Sequence, residues 1–355
     1  MIDKIFKAYS GFIGNAYKTF IENYFKGQGD RAGVLFDRYK EYALQDSFFP
    51  RPILTFLGVN ANVDELQDIA VFKDTQLLFV SQLVRDFGAI HDDIIDEDLV
   101  KFGSDTLPLV FSKLVKPGST TMNKWGKDMA LLLADMQLSA PLKIVSSLSV
   151  DGNTKERLLN LVAQILYTTN KGQIDELLLN DISLGDIPTG EITTLYRNKA
   201  ADYCYAFPLM LGMVYSKFDA ETIGTMREMM LRMGTMSQIV NDIEGVFSEC
   251  FSNERDTLSD LTQLRRTYLL LKLYHKTSST EIKSLLDHRL LTKEQALVVK
   301  EAMMESGVLT EVKKEIEGGC DRISDEIREL KIGAVLKTYL LDLIDSRIIA
   351  NIRRV

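Results

Sequence analysis

Asp92, Asp93 and Asp96 lie in one short run, His91-Asp92-Asp93-Ile94-Ile95-Asp96. On a helix, Asp92 and Asp96 stand one turn apart on the same face, with Asp93 rotated by about 100° from Asp92. Three carboxylates that close repel one another, and an acidic run of this kind is ordinarily a solvated helix end. This run instead follows the apolar stretch from Phe72 to Ile90, and Ile94 and Ile95 continue its apolar side. The acids are therefore expected to point into a cavity, where repelling carboxylates call for a cation. Hard oxygen ligands without imidazole or thiolate partners favour Mg2+, which binds through one or two carboxylates plus the phosphates of a substrate. The pattern predicts a magnesium-diphosphate site. The other common home for buried carboxylates, a di-iron bundle, uses Glu-x-x-His pairs, and none of the three histidines sits in one.

The elements that must position these acids are helices. Apolar residues recur at spacings of three and four, as in Phe72, Leu77, Val80, Leu83, Val84 and in Met129, Leu132, Leu133, Met136, Ala140, the period of a half-buried helix. Helices are expected near 3–25, 31–44, 63–98, 122–148, 154–181, 189–216, 219–248, 260–275, 279–289, 293–304, 309–330 and 334–349, with Pro141 and Pro208 kinking or splitting two of them. Breaks fall at Phe49-Pro50-Arg51-Pro52, Lys116-Pro117-Gly118 and Gly185-Asp186-Ile187-Pro188, and no β-hairpin signal is found. The fold class is all-α, a large antiparallel helical bundle with a central cavity. Without a linker or internal repeat, residues 1–355 are read as one domain, with a charged peripheral helical layer over about 279–355.

Composition narrows the function. At 46% hydrophobic and 26% charged, the chain is ordinary globular material, and a net charge of −8 with scattered basic residues gives no footprint for nucleic acid. The apolar stretches are broken well short of the roughly 20 residues a bilayer span needs, so no transmembrane segment is expected. The first residues, MIDKIFKAYSGF, lack the uninterrupted apolar core of a secretory signal. Cys204, Cys250 and Cys320 are odd in number and far apart, which suits a reducing compartment and neither a disulfide framework nor a zinc site. A cytoplasmic protein is expected.

Asp92-Asp93-x-x-Asp96 after a long apolar helix resembles the first aspartate-rich motif of the polyprenyl (isoprenyl diphosphate) synthase family. Further along, Gln238-Ile239-Val240-Asn241-Asp242 resembles the second, with Asn241 in place of an Asp and Gly245 where many members have a third. Between them, Gly172-Gln173-Ile174-Asp175-Glu176 is similar to G-Q-x-x-D, and Tyr196-x-x-Lys199-Ala200 to the segment around the family's K-T pair. Downstream, Ser259-Asp260-Leu261-Thr262-Gln263-Leu264-Arg265-Arg266-Thr267 resembles s-D-x-x-x-G-K-x-T, with Arg265 for the lysine and Leu264 for the glycine. The resemblance runs from about residue 45 to 270. It implies Mg2+ held by Asp92, Asp93, Asp96 and Asp242, with Lys101, Lys199 and Arg265 on the allylic diphosphate and Gln173 and Gln238 among the substrate-binding residues. It also implies a homodimer. Phe87, five residues before Asp92, would floor the product channel, an aromatic there suggesting a product of about C15 to C20, the class made by farnesyl and geranylgeranyl diphosphate synthases.

The departures cluster where isopentenyl diphosphate would bind. The loop that usually reads G-G-K-x-x-R-P is Asp46-Ser47-Phe48-Phe49-Pro50-Arg51-Pro52, which keeps Arg51 and puts Phe48 at the lysine. The R-R-G after the first motif becomes Lys101-Phe102-Gly103. An uncompensated anion in a low-dielectric pocket is very costly. Either the second substrate is held through His91 and Arg51, or it is not isopentenyl diphosphate. Three functions follow in order of weight: chain elongation of an allylic prenyl diphosphate with isopentenyl diphosphate; a terpene synthase that ionises the same donor, with Phe48 and Phe102 as walls; and a weak subunit of a heteromeric synthase.

Overall fold

The computed structural model describes residues 2–27, 30–45, 48–101, 103–247, 258–288 and 290–355; Asp46, Ser47, Phe102, Cys250 and the side chains of Ser259 and Asp260 lie outside the described residues. The helices in chain order are α1 Ile2–Tyr24, α2 Asp30–Ala43, α3 Pro50–Val59, α4 Gln76–Ile95, α5 Leu107–Val115, α6 Lys124–Gln137, α7 Ser139–Ser147, α8 Gly152–Leu179, α9 Glu191–Tyr196, α10 Phe207–Tyr215, α11 Ala220–Phe247, α12 Ser259–Thr262, α13 Tyr268–Lys276, α14 Thr280–Leu286, α15 Lys293–Glu305, α16 Val308–Glu329, α17 Ala334–Leu343 and α18 Ala350–Arg354. Two-residue strands β1 Val100–Lys101 and β2 Ser104–Asp105 pair antiparallel between α4 and α5. The chain forms two compact units, one of Met1–Leu166, Phe207–Ile223 and Gly333–Leu336, the other of Tyr167–Ala206, Gly224–Ile332 and Lys337–Val355.

In the first unit, α4 buries Leu77, Leu78, Phe79, Val80, Leu83, Val84, Phe87 and Ile90. Helices α3 and α10 meet backbone to backbone at Gly58 and Gly212. The core at α4 is not wholly apolar. Asp86 is fully buried and accepts from Tyr17 Oη of α1 at 2.8 Å, Tyr39 Oη of α2 at 3.2 Å, Gln82 Nε2 at 3.1 Å and Arg85 Nη1 at 3.1 Å. Tyr39 Oη also reaches Gln137 Oε1 of α6 at 2.8 Å. Burial pushes the Asp86 carboxyl up, against the pull of Arg85. This network ties three neighbouring helices to the helix that carries the aspartates. Asp86→Leu is expected to strand the Tyr17 hydroxyl, while Tyr39 keeps Gln137, and to lower stability by about 2 kcal/mol, read as a shifted denaturant midpoint with an unchanged m-value.

In the second unit, α16 presents a stripe of Val312, Ile316, Cys320, Ile323 and Ile327 to the interior. A Cβ at Gly319 would lie 2.3 Å from Met236 Cε of α11. Arg266 is buried, its Nε donating to Ile182 O at 3.0 Å and its backbone N–H to Asn180 Oδ1 at 3.4 Å, so it pins the turn after α8.

Several expected elements are corrected. The helix expected over 63–98 begins only at Gln76, because Asp68 caps a short 3-10 turn, Ile69–Val71, through Ala70 N. Pro50-Arg51-Pro52, read as a turn, opens α3 with its prolines in the first helical turn, where the missing N–H is not needed. Helix α5 and the β1–β2 hairpin were not foreseen; Gly103, at φ 74°, makes the hairpin's tight reversal. The segment 122–148 divides at Leu138, three residues before Pro141. Before Pro208, which cannot close an α-type hydrogen bond, the chain widens into a π-helix, Arg197–Ala206. Lys124–Ser147 is the one described segment long and apolar enough to cross a membrane by length and composition; the break at Leu138 and the charges of Lys127, Asp128, Asp135 and Lys143 interrupt it.

Candidate active site

The first aspartate motif sits where α4 ends. Asp96 is the C-cap, its N–H bonded to Asp92 O at 2.8 Å, and Glu97 turns the chain at φ 56°. Asp98 N–H then bonds Asp93 O at 3.1 Å, and Thr106 Oγ1 donates to Asp98 O at 2.6 Å across the base of the hairpin. The reversal brings Lys101 back over the acids. Its Nζ lies 3.0 Å from Asp92 Oδ2, 2.7 Å from Asp93 Oδ1 and 3.9 Å from Asp98 Oδ2. Burial opposes the lysine's charge, but Asp92 and Asp93 outweigh it and hold the ammonium above its ordinary range. Asp93 is 0% exposed, and burial pushes its carboxyl up to about 6 despite Lys101. Its Oδ2 is buried and has no hydrogen-bond partner among the described residues.

His91 turns away from that cluster. Its Nδ1 is 3.0 Å from Phe87 O, its Nε2 3.6 Å from Asp135 Oδ1 of α6, and its ring centroid 4.1 Å from that of Phe87. Phe87 is buried. Arg51 lies in the first turn of α3. Phe48 is 57% exposed and meets Phe6 of α1 edge to face at 5.9 Å, whereas Phe49, at φ 47°, packs against Tyr17 at 6.2 Å.

The second unit gathers the other motifs. Lys199, inside the π-helix, pairs with Glu176 Oε2, to which Gln173 Nε2 also donates at 3.2 Å. Gly172 makes this possible, because a Cβ there would lie 2.6 Å from Lys199 N. Asp242 is 6% exposed. Its Oδ1 accepts from Gln238 Nε2, one helical turn earlier, at 3.1 Å, and its Oδ2 takes a short hydrogen bond from Tyr196 Oη. Tyr196 Oη in turn accepts Tyr268 N–H, at the start of α13, at 3.0 Å. Burial, then the Asp242 charge, raises the Tyr196 phenol far above its usual range. Asn241, beside Asp242, is exposed. Arg265 is half-buried, its Nε donating to Gln263 Oε1 at 3.1 Å, and Leu264 before it takes φ 47°, the left-handed backbone for which glycine is suited.

Among the described residues, no three Asp, Glu, His or Cys side chains are already gathered as a metal-binding group. The first motif nevertheless suits magnesium. Its donors are carboxylate oxygens without imidazole or thiolate, and the orphaned Asp93 Oδ2 is the kind of buried oxygen a cation satisfies. Reasoning from the sequence gave Tyr196 no role of its own and missed the Asp86 network. Tyr196 lies three residues before Lys199, but a lone tyrosine on a helix carries no signal of the carboxylate it will meet.

Comparison with known proteins gives the family and the fold. The family model for polyprenyl synthetase matches residues 49–305, so the chain belongs to the polyprenyl synthetase family. Among curated relatives, the geranylgeranyl diphosphate synthase of Saccharolobus solfataricus is 22% identical over 58% of this chain and 57% of its own length. The geranylfarnesyl diphosphate synthase of Aeropyrum pernix is 24% identical over 56% of this chain and 58% of its own. The chain thus matches little more than half the length of these relatives. Among solved structures, a Corynebacterium glutamicum geranylgeranyl pyrophosphate synthase complexed with isoprenyl diphosphate and magnesium has a TM-score of 0.83 at 17% identity, covering 100% of both chains. A decaprenyl diphosphate synthase from Rhodobacter capsulatus has a TM-score of 0.77 at 15% identity, covering 100% of this chain and 99% of that one. The fold is that of these all-α synthases.

Proposed function

We propose that this chain is a magnesium-dependent trans-prenyltransferase, working as one catalytic domain, that condenses an allylic prenyl diphosphate with isopentenyl diphosphate. The product is a longer trans-prenyl diphosphate of about C15 to C20, the length suggested by the aromatic Phe87. The observation that carries the reading is the end of α4: two adjacent carboxylates, one with a buried unsatisfied oxygen, closed over by a lysine on a hairpin. Asp92, Asp93 and Asp96 are the residues to hold magnesium, which when bound supplies a Lewis acid to the departing diphosphate. Lys101, Lys199 and Arg265 neutralise the charge that develops there as the allylic C–O bond breaks. Arg51 and His91 are assigned to isopentenyl diphosphate. The relatives named for geranylgeranyl and geranylfarnesyl diphosphate synthesis support this chemistry.

Exposed Leu132 and Met136 on α6, and Ile174 and Leu178 on α8, are each spaced four apart on one face. They support a homodimer, which light scattering would test by mass. For the reaction, geranyl, farnesyl and geranylgeranyl diphosphates are incubated with and without isopentenyl diphosphate, reading released diphosphate and product length. Longer prenyl diphosphates are expected only when isopentenyl diphosphate is present. Chelation with EDTA is expected to stop turnover and added Mg2+ to restore it; activity that survives chelation removes the metal from the scheme. A terpene synthase is the second reading, favoured by the exposed Phe48 in place of a lysine. Diphosphate release with hydrocarbon or alcohol in the absence of isopentenyl diphosphate would establish it.

A further inference from the structure

We infer that Tyr196 and Asp242 form an internal lock that positions Lys199 for diphosphate, and that Asp242 serves this lock rather than ligating metal. Asp242 is the acid that survives in the second motif, yet it is 6% exposed and both its oxygens accept hydrogen bonds from its own unit. The residue beside it, Asn241, is the exposed one. A carboxylate shared between a tyrosine hydroxyl and a glutamine amide in a buried setting is a strong, directional tie.

What the tie holds is informative. Tyr196 is the last residue of α9, and the π-helix that carries Lys199 begins at the next residue. Tyr196 Oη is also the acceptor for Tyr268 N–H, so one hydroxyl joins α9, α11 and α13. Lys199 is held from the other side by Gly172, whose missing Cβ lets α8 lie against the lysine's own backbone, and by Glu176 at its ammonium, the same carboxylate oxygen that accepts from Gln173 Nε2. A ten-residue π-helix is an uncommon, locally costly backbone. It keeps its register only if both ends are fixed, and at the N-terminal end the fixing group is the Tyr196 hydroxyl. The lock therefore sets where the lysine charge stands, and Tyr196 is a positioning residue.

The proposal rests on the reading that the chain binds a magnesium-diphosphate group through Asp92. Calorimetric titration of the full chain with inorganic pyrophosphate and with Mg2+ separates the two. Tyr196→Phe and Asp242→Asn are expected to weaken pyrophosphate binding at saturating Mg2+ by about 5- to 10-fold while leaving the Mg2+ midpoint within about twofold. Asp92→Asn is expected to move the Mg2+ midpoint by more than about tenfold. Adding Tyr196→Phe to Lys199→Ala is expected to cost no further pyrophosphate affinity, because the hydroxyl acts through the lysine. The lock is overturned if Asp242→Asn moves the Mg2+ midpoint as Asp92→Asn does. It is also overturned if Tyr196→Phe leaves pyrophosphate binding unchanged, or if the tyrosine effect persists in the Lys199→Ala background. A merely structural tyrosine would lower the melting temperature and leave pyrophosphate affinity alone. Should Asp242→Asn fail to fold, Tyr196→Phe, which removes only a hydroxyl, carries the test. If Asp92→Asn changes neither titration, the magnesium-diphosphate reading itself fails.

Discussion

Asp92→Ala is expected to reduce magnesium-dependent turnover by about a thousandfold while leaving the fold intact. The carboxylate is partly open at the C-terminal end of α4, with its side chain 28% exposed. Truncation removes one of the two acids that Lys101 grips, but Asp93 at 2.7 Å and Asp98 at 3.9 Å remain for that lysine. Repulsion with Asp93 is relieved at the same time, so the stability change is small. The loss falls on the transition state, where fixed charge at the departing diphosphate is worth about two to three orders of magnitude per contributing group. Released diphosphate measured across a wide Mg2+ range checks this. Turnover within tenfold of the parent at ordinary Mg2+ would remove Asp92 from the site.

Gly212→Ala is expected to have the largest effect on stability, about 3 kcal/mol or more for a single methyl group. A Cβ at 212 would lie 2.1 Å from Thr55 O, 2.4 Å from Val59 N and 2.6 Å from Gly58 C. All three are backbone atoms of α3, which cannot swing aside as a flexible side chain would. A Cβ at Gly58 meets the same obstacle in return, 2.4 Å from Leu209 O. Gly11→Ala in α1 is the control, since no described residue lies within 4 Å of its Cβ position. That change should stabilise by up to about 1 kcal/mol, as alanine does in a helix interior. Chemical denaturation of the pair reads both. Equal midpoints would mean that α3 and α10 separate at little cost.

The parts of this molecule that were legible in the sequence are those whose cause is local. A helical period survives in every long apolar stripe, and Asp92, Asp93 and Asp96 stand out because adjacent like charges after an apolar run need a reason. Pro50 and Pro52 misled because proline both breaks helices and opens them, and only the backbone before it decides which. The hairpin that carries Lys101 is too short for alternation to show. Tyr17, Tyr39 and Asp86 are remote from one another in sequence, and each taken alone looks like an ordinary core aromatic or surface acid. Asp242 was legible as an acid at helical spacing from Gln238, but its burial under Tyr196 depends on a partner that no spacing rule supplies.

The first unit is assembled from pieces that the ribosome makes far apart in time. Helix α3 needs α10 against its glycine face, and beyond α3 the chain at Ala61, Val63 and Asp64 is closed by Gly333 and Ala334, through Gly333 N to Ala61 O at 2.7 Å and Ala334 N to Asp64 Oδ1 at 2.9 Å. A Cβ at Gly333 would lie 2.1 Å from Val63 O, so this closure is as tight as the one at Gly212. During synthesis, then, the apolar surface of α3 waits for α10, and the edge beside Val63 waits for Gly333. Contacts that close such long loops form slowly and leave sticky intermediates. Nascent chains of this protein are therefore natural clients for holding chaperones until the segment at Gly333 and Ala334 has been made.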